Sequence, residues 1–272
     1  MVNTAPRTGY APVNGLNLYY DLHGAGAPLI LLHGGFGATG MFGEVLPTLA
    51  ARRQVIAADL QGHGRTADID RPLRADLMAD DIAALITHLG LPTATVMGYS
   101  LGGAVALQTA IRHPHLVDRL IVVSTAHKRA ASYPGVLAGM DQVSAAVAET
   151  MKQSPMYELY ASIAPRPEDW ATLWGKVGDS LRVDYDWSDG AAALTMPTML
   201  VFGDADSVSP AAAAEFFGLL GGGQEDGSWD RSGVTQHRLA ILPSTTHYEI
   251  IDSPLLAAVV APFLDAPSPA TA

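Results

Sequence analysis

The sequence of 272 residues contains no cysteine. Disulfide bonds, a thiolate nucleophile and cysteine-ligated zinc or iron–sulfur centres are therefore excluded. Basic residues are also scarce, since 16 lysines and arginines stand against 27 aspartates and glutamates, and the formal net charge is -11. Because binding to nucleic-acid phosphates depends on lysine and arginine, this balance argues against a nucleic-acid partner. We expect a small-molecule partner instead.

Long apolar runs are absent as well. No uncharged apolar run approaches the length of a membrane span, and Met1–Tyr10 lacks a basic segment followed by an apolar one. These features predict a cytoplasmic protein that does not bind membranes. The chain is nevertheless 49% hydrophobic and only 16% charged, which is typical of a globular domain with a buried sheet. The small, proline-rich tail Ala266–Ala272 is predicted to be disordered.

Apolar runs and amphipathic stretches alternate along most of the chain. Strands are predicted at Tyr10–Val13, Leu16–Leu22, Pro28–Leu32, Gln54–Ala58, Ala94–Met97, Arg119–Ser124, Thr198–Phe202 and Arg238–Leu242. Helices are predicted at Met41–Ala51, Arg74–Leu89, Leu101–His113, Ala211–Leu220 and Pro254–Leu264. This alternation predicts the α/β class, with a mostly parallel central sheet flanked by helices. The polar, glycine-rich segment Gly221–Gln236 is predicted to be an exposed loop.

One segment, residues 126–189, breaks this alternation because it offers helix-like stretches but no convincing apolar strand. We predict that it is a helical lid inserted between two parts of one core, residues 1–125 and 190–265. The segment is rich in large flexible or aromatic side chains: Met140, Met151, Met156, Tyr157, Tyr160, Trp170, Trp174, Tyr185 and Trp187. They could line a ligand pocket or form a small core of their own, and both interpretations stay open.

The pentapeptide Gly98-Tyr-Ser-Leu-Gly102 matches G-x-S-x-G, in which a serine occupies a tight turn between a strand and a helix. Glycines are needed two residues on either side because a Cβ there would clash across the turn. A strand is predicted to end at Met97 and a helix to begin at Leu101, which is the context that this motif requires. Ser100 is therefore the candidate nucleophile.

A serine nucleophile needs an imidazole to accept its proton and a carboxylate to orient that imidazole. Among nine histidines, His247 is the candidate base because it is far downstream and directly follows the last predicted strand. Asp204 and Asp206 both follow the buried strand Thr198–Phe202. Either carboxylate could reach His247, and each could instead cap the helix that begins near Pro210.

A competing interpretation comes from Gly35-Phe-Gly-Ala-Thr-Gly40, which matches G-x-G-x-x-G after a strand, with Asp59 at the end of the next strand. That arrangement is a dinucleotide-binding fingerprint. Pro47 would interrupt the helix that should follow, and this interpretation leaves Ser100 and His247 unexplained. The sequence therefore favours a hydrolase over a protein that binds NAD.

Four segments resemble the α/β-hydrolase superfamily, in its esterase and lactonase-like branch with an inserted lid. They are His33–Gly37, Asp59–Arg65, Gly98–Gly103, and Gly203–Pro210 with His247 beyond it. In similar proteins the acid loop reads G-x-x-D-x-x-x-P, which selects Asp206 over Asp204. The resemblance implies oxyanion donors at the backbone N–H groups of Gly35, or alternatively Phe36, and of Leu101. It also implies that His63 is structural.

The resemblance implies an enzyme with the α/β-hydrolase fold. The expected reaction is hydrolysis of a carboxylic ester or lactone of a small, hydrophobic molecule by Ser100, His247 and Asp206, with no metal or organic cofactor. A perhydrolase, a carbon–carbon bond hydrolase and a ligand-binding relative without turnover remain alternatives. Epoxide hydrolases and haloalkane dehalogenases share the fold but have aspartate where this chain has Ser100.

Overall fold

The computed structural model describes residues 7–267, and eight strands form one sheet in them. The strands are β1 (Arg7–Val13), β2 (Leu16–His23), β3 (Pro28–Leu32), β4 (Gln54–Ala58), β5 (Ala94–Tyr99), β6 (Val117–Val123), β7 (Thr198–Ala205) and β8 (Arg238–Thr246). Their order is β1-β2-β4-β3-β5-β6-β7-β8. The pairs β1–β2 and β2–β4 are antiparallel and the others are parallel. The predicted mostly parallel sheet is therefore confirmed.

Helices cover both faces of this sheet, and further helices lie in segment 126–189. They are α1 (Val45–Ala50), α2 (Ala75–His88), α3 (Leu101–Arg112), α4 (Pro134–Gln142), α5 (Pro155–Ile163), α6 (Trp170–Arg182), α7 (Ser188–Ala192), α8 (Pro210–Leu219) and α9 (Pro254–Asp265). The continuous helix predicted at Met41–Ala51 is wrong, because a 3-10 turn, Thr39–Phe42, precedes the shorter α1. Gly43, at φ 42°, separates the two. Among residues 7–267, no helix is long and apolar enough to cross a membrane.

The core lies on both sides of the sheet because successive side chains of a strand point to opposite faces. In β3, Ile30 and Leu32 pack in one cluster with α2 and α3. Leu29 and Leu31 pack in the other, with α1 and α9. Strand β5, next to β3, is buried along its whole length. This double burial explains why the central strands are apolar without alternation.

The segment 126–189 contains α4 to α6, the first two residues of α7 and several 3-10 turns, and no strand of the sheet. Its two ends lie side by side, since Arg129 N–H donates to the carbonyl of Tyr185 at 2.9 Å and Trp187 N–H donates to that of His127 at 2.9 Å. Helix α6 is the part that packs inward, with Trp170 and Trp174 buried among residues of the main core.

The carboxyl ends of β3, β5, β6, β7 and β8 lie at one edge of the sheet because these strands run parallel. Strands β7 and β8 are longer than predicted, ending at Ala205 and Thr246. His247 therefore follows its strand directly. The segment 221–236, at the opposite ends of the strands, contains no helix or strand, and its Trp229 is fully exposed. The predicted exposed loop is confirmed there. Residues 268–272 of the predicted disordered tail lie outside the described residues.

Candidate active site

Ser100 lies in the turn between β5 and α3 with φ 53° and ψ -115°. A positive φ is strained for a residue with a side chain and persists only where the surroundings hold it. Two hydrogen bonds do so: Ser100 N–H donates to the carbonyl of Val123 at 3.0 Å, and Thr125 Oγ1 donates to the carbonyl of Ser100 at 2.7 Å. The serine is therefore held at the carboxyl edge of the sheet.

The flanking glycines allow this turn to close. A Cβ on Gly98 would lie 2.0 Å from the carbonyl oxygen of Gly102, and a Cβ on Gly102 would lie 2.4 Å from that of Leu32. Backbone atoms cannot retreat from such contacts without moving a strand or a helix. The spacing of the G-x-S-x-G motif thus has the steric cause that the sequence predicts.

The structure brings together the three side chains singled out from the sequence. His247 Nε2 lies 3.2 Å from Ser100 Oγ, and His247 Nδ1 lies 2.8 Å from Asp206 Oδ1. If Nδ1 carries the proton and donates it to the carboxylate, Nε2 is free to accept the hydroxyl proton. The Tyr99 hydroxyl donates to the carbonyl of His247 at 2.8 Å and so fixes the backbone beside the imidazole.

The carboxylate of Asp206 is fully buried and surrounded by donors. Oδ2 accepts from Ser124 Oγ at 2.5 Å and from Gly203 N–H at 3.1 Å, while Oδ1 also accepts from Ser207 N–H at 2.7 Å. Burial alone would raise the pKa of Asp206, but the hydrogen bonds from His247 and Ser124 outweigh it and hold the pKa below its usual value. The group is therefore kept as an anion next to the imidazole.

Asp204 occupies a different environment. Its side chain is exposed, and Oδ1 accepts from Thr245 N–H at 3.1 Å. Backbone hydrogen bonds from Ser244 and Thr245 lower the pKa of Asp204. Of the two aspartates, it is Asp206 that hydrogen-bonds to His247.

Sequence reasoning missed two serines that contact the acid. Ser124, after β6, is buried with φ 53°, and its hydroxyl donates to Asp206. Ser207 Oγ donates to Asp206 Oδ1 at 3.2 Å and lies 3.0 Å from His247 Nδ1, so its oxygen is within reach of a proton on Nδ1. No local motif marks either serine. The one available signal is that Ser124 directly follows a parallel strand, at the same sheet edge as Ser100.

The loop after β3 lies beside the serine turn. A Cβ on Gly34 would come within 3.4 Å of Ser100 Cβ, whereas a Cβ on Gly35 would meet nothing within 4 Å. A hydrogen bond from Gly37 N–H to the carbonyl of Gly34, at 3.1 Å, closes a turn. Gly35 and Phe36 are the two central residues of this turn, and their N–H groups take no part in that bond. Leu101 is the first residue of α3, where the N–H has no partner within the helix.

The side chains of His33 and His63 lie buried next to this loop. Both are fully buried, and their rings lie 5.2 Å apart. His33 Nδ1 donates to the carbonyl of Gly34 at 2.7 Å, and its Nε2 accepts from Leu60 N–H at 3.0 Å. Burial lowers the pKa of His33 to about 4 and, with the repulsion of His33, that of His63 to about 3. Both rings are therefore neutral structural groups near neutral pH.

Asp59, which the dinucleotide interpretation needs at the ribose, is also buried. Its Oδ1 accepts from Thr39 N–H at 2.7 Å and its Oδ2 accepts from Arg65 N–H at 2.8 Å. A 3-10 turn, Thr39–Phe42, which contains Gly40, lies where a phosphate-binding helix would be required. Within residues 7–267, no group of three or more histidine, aspartate or glutamate side chains could hold a metal ion.

Aromatic side chains of α6 contact the loop beside the serine. Phe36 stacks on Trp174 with ring centroids 4.2 Å apart, and lies 6.1 Å from Trp170. Trp170 contacts Tyr157 and Tyr160 in turn. The inserted segment is therefore packed directly against the turn that holds Gly35 and Phe36.

Comparison with known proteins places this chain in a family. The family model for the alpha/beta hydrolase fold matches residues 27–220. AB hydrolase superfamily protein YisY from Bacillus subtilis strain 168 is 31% identical over 218 residues, which are 72% of this chain and 80% of that protein. Putative carbamate hydrolase RutD from Azorhizobium caulinodans is 36% identical over 115 residues, which are 42% of this chain and only 43% of that protein.

Solved structures agree on the fold. The crystal structure of E-2-(acetamidomethylene)succinate hydrolase superposes with a TM-score of 0.75 and 20% identity, covering 96% of this chain and 100% of the other. An identity this low is informative about architecture only. The sequence matches and the architecture together show that this chain belongs to the α/β-hydrolase family of enzymes.

Proposed function

We propose that this protein is a serine hydrolase that cleaves a carboxylic ester or lactone through an acyl-enzyme. Ser100 is the nucleophile, His247 the general base and Asp206 the acid that orients the histidine. The observation that supports this most is the chain of contacts from Ser100 Oγ to His247 Nε2 at 3.2 Å and from Nδ1 to Asp206 at 2.8 Å. Nucleophile, base and orienting acid lie within hydrogen-bond reach in the order this chemistry requires.

In the first step Ser100 Oγ bonds to the substrate carbonyl carbon while its proton passes to His247. The tetrahedral intermediate expels the alcohol, which takes that proton, and an acyl-serine remains. Water then attacks the acyl carbon, again losing a proton to His247, and the carboxylic acid leaves as Ser100 recovers its proton. Asp206 stays ionised throughout and stabilises the imidazolium that forms twice.

The negative charge of the intermediate needs donors aimed at the former carbonyl oxygen. We assign one to Leu101 N–H at the start of α3 and the other to Gly35 N–H, with Phe36 N–H as the alternative. This assignment is supported by the proximity of Gly34 to the serine and by the open space at Gly35. A single such donor is worth about 10²–10³ in rate in related chemistry.

The substrate class follows from the inserted segment, which we propose acts as a lid. Its buried face brings Trp170 and Trp174 against Phe36, beside the site of attack. Aromatic walls favour an apolar acyl group. Because this chain is similar to a protein named putative carbamate hydrolase, a carbamate belongs among the test substrates.

A substrate panel tests this proposal. The panel contains p-nitrophenyl esters of increasing acyl length, an aliphatic lactone, a p-nitrophenyl carbamate and a vinylogous diketone. We expect turnover of the esters or the lactone, with kcat/KM rising as the acyl chain lengthens, and none by Ser100→Ala above the uncatalysed rate. Cleavage of the diketone alone would replace the proposal by carbon–carbon hydrolysis. Equal rates for Ser100→Ala and the unmodified protein would remove Ser100 as nucleophile.

A further inference from the structure

A second cleft lies at the opposite edge of the sheet, where β6, β7 and β8 begin. Its volume is about 580 Å³, and its walls include Met199, Leu239 and Phe263 together with Arg119, Arg231 and Arg238. Clefts of roughly 300–1,000 Å³ are the usual size for small-molecule sites. Met199 lies near the start of β7 and Asp206 follows its end, and at roughly 3.3 Å per residue the strand holds them about 20 Å apart, so this cleft is separate from the triad.

The cleft is unusual for its charge. Three arginines line it and no aspartate or glutamate does, in a chain whose formal net charge is -11. Most lysines and arginines of this protein pair with a carboxylate, as in Arg71–Asp81 and Lys176–Asp68. Neither Arg231 nor Arg238 ion-pairs with a carboxylate of residues 7–267, and a cleft lined by such guanidinium groups attracts anions.

The guanidinium groups of Arg231 and Arg238 retain donors for a ligand. The side chain of Arg231, in the loop 221–236, neither hydrogen-bonds nor ion-pairs with any of residues 7–267. Arg238 donates through Nη1 to the carbonyls of Thr235 and His237, and its Nε and Nη2 make no bond to the described residues. Arg119 is held in place by the carbonyls of Phe263 and Ala266 at 3.3 and 2.6 Å.

We propose that this cleft binds a small organic carboxylate with an apolar body. The planar fork of arginine matches a carboxylate with two parallel hydrogen bonds. The side chains of Met199, Leu239 and Phe263 supply a surface for a hydrocarbon or aromatic group. The proposal does not depend on the function proposed for Ser100, since none of these residues contacts the triad.

Calorimetric titration of the intact protein with octanoate tests the proposal. Octanol carries the same apolar body without the charge, and inorganic phosphate carries charge without the apolar body. We expect octanoate to bind at least tenfold more tightly than either, and its binding to weaken as sodium chloride is raised. Equal binding of octanol would show that the charge of the ligand is not recognised, and equal binding of phosphate would show that its apolar body is not recognised. Either result overturns the proposal.

Octanoate could also enter the active site as an acyl product analogue, so variants assign the binding. Arg231→Gln changes an exposed side chain and should weaken octanoate binding about tenfold with unchanged thermal stability. Arg238→Gln loses two carbonyl contacts, so Arg238→Lys is measured beside it to separate charge from folding. Arg7→Gln, on β1 at the far side of the sheet, is the matched control and should bind as the unmodified protein does. Unchanged binding by both Arg231→Gln and Arg238→Gln would overturn the proposal.

Discussion

The carboxyl edge of the sheet and the inserted segment 126–189 are held in different ways. At the sheet edge, the buried carboxylate of Asp206 accepts hydrogen bonds from side chains and backbone of three separate segments. In the insertion, α4 buries no residue and α5 buries only Tyr160, while α6 is anchored. The contrast indicates that Ser100, His247 and Asp206 are held by the core, as α6 is, whereas α4 and α5 are held by few buried contacts.

Non-glycine residues with positive φ also occur at the carboxyl edge of the sheet and not in segment 126–189. Ser100 and Ser124 both have φ 53°, and both lie at the carboxyl ends of central strands. Residues held in such conformations cost about 1–3 kcal/mol each and persist where neighbouring bonds over-determine them. Ser124 N–H donates to the carbonyl of Val201 at 2.9 Å, within the extended pairing of the sheet. The insertion between 126 and 189 has no non-glycine residue with positive φ.

The largest expected effect concerns the two aspartates. Asp206→Asn should lower kcat by about 10⁴-fold, because an amide at this position favours the wrong imidazole tautomer. Asp204→Asn is the matched control, since Asp204 is exposed and bonds to Thr245 rather than to His247. Steady-state kinetics on the best ester measure both. A larger loss for Asp204→Asn would move the acid to that residue.

The next effect concerns the anchor of the insertion. Lys176, on α6, donates to Asp68 Oδ2 at 2.6 Å and to the carbonyls of Ile69 and Arg71 at 2.7 and 2.9 Å. Lys176→Met should cost about 1.5–3 kcal/mol in free energy of unfolding, because charged hydrogen bonds are lost in a half-buried site. It should also raise KM more than it lowers kcat.

The control for this variant is Lys152→Met, which removes the exposed pair between Lys152 and Glu149 within the same segment. That pair should contribute little, as exposed pairs usually do. Chemical unfolding and Michaelis constants are measured on both variants. If Lys176→Met lowered kcat as strongly as Asp206→Asn, the insertion would take part in positioning the triad and the contrast would fail.

A smaller effect is expected at Ser124. Ser124→Gly removes the hydroxyl that donates to Asp206. Because glycine tolerates the positive φ of this position, the effect on activity can be measured apart from an effect on stability. We expect kcat/KM to fall about tenfold, the value of one hydrogen bond to a charged group. Because this bond helps to hold down the pKa of Asp206, the loss of activity that comes from protonation of Asp206 should begin at higher pH in the variant.

The matched change is Ser228→Gly, which makes the same substitution at φ 57° in the exposed loop 221–236. It should leave the pH–rate profile unaltered. A Ser124→Gly variant with an unchanged profile and unchanged kcat/KM would show that the buried hydroxyl does not support the acid.

The smallest effect is on stability against pH. The folded-state pKa of His63, about 3, lies below its ordinary value of 6.5, so the unfolded chain binds a proton that the folded chain does not. Stability therefore falls as the pH drops below 6.5, by roughly 1.4 kcal/mol per pH unit for each such histidine. At pH 6 the loss is under about 1 kcal/mol.

His63→Asn keeps a donor for the carbonyl of Gln61 and removes the titrating ring. Its free energy of unfolding, measured by urea from pH 7 to pH 5, should decline less steeply than that of the unmodified protein. His88→Asn, at an exposed position on α2, serves as the comparison and should not change the slope. Parallel slopes for His63→Asn and the unmodified protein would contradict the neutral, buried state of His63.

The sequence predicts best what depends on short-range chemistry. The sequence predicts both the strand that ends before Ser100 and the helix that begins at Leu101, because apolar runs and glycines determine structure locally. The split before α1 was not, since Gly43 and the turn at Thr39–Phe42 respond to contacts with distant segments. Tertiary packing overrode a helical pattern there.

Contacts between distant segments were the part that sequence reasoning could not supply. Ser124 and Asp206 are 82 residues apart, and no local sequence motif near either residue predicts their hydrogen bond. The choice of Asp206 over Asp204 likewise came from family resemblance, because both follow the same strand. The stacking of Phe36 on Trp174 requires the path of the whole insertion, which periodicity does not specify.

The central claim is that the contacts among Ser100, His247 and Asp206 make the serine nucleophilic. Labelling with a fluorophosphonate, followed by intact mass and peptide mapping, tests this most directly. We expect one label per chain, located on Ser100, and none on Ser100→Ala under the same conditions. Absence of labelling, or a label on another serine with Ser100 unmodified, would contradict the account.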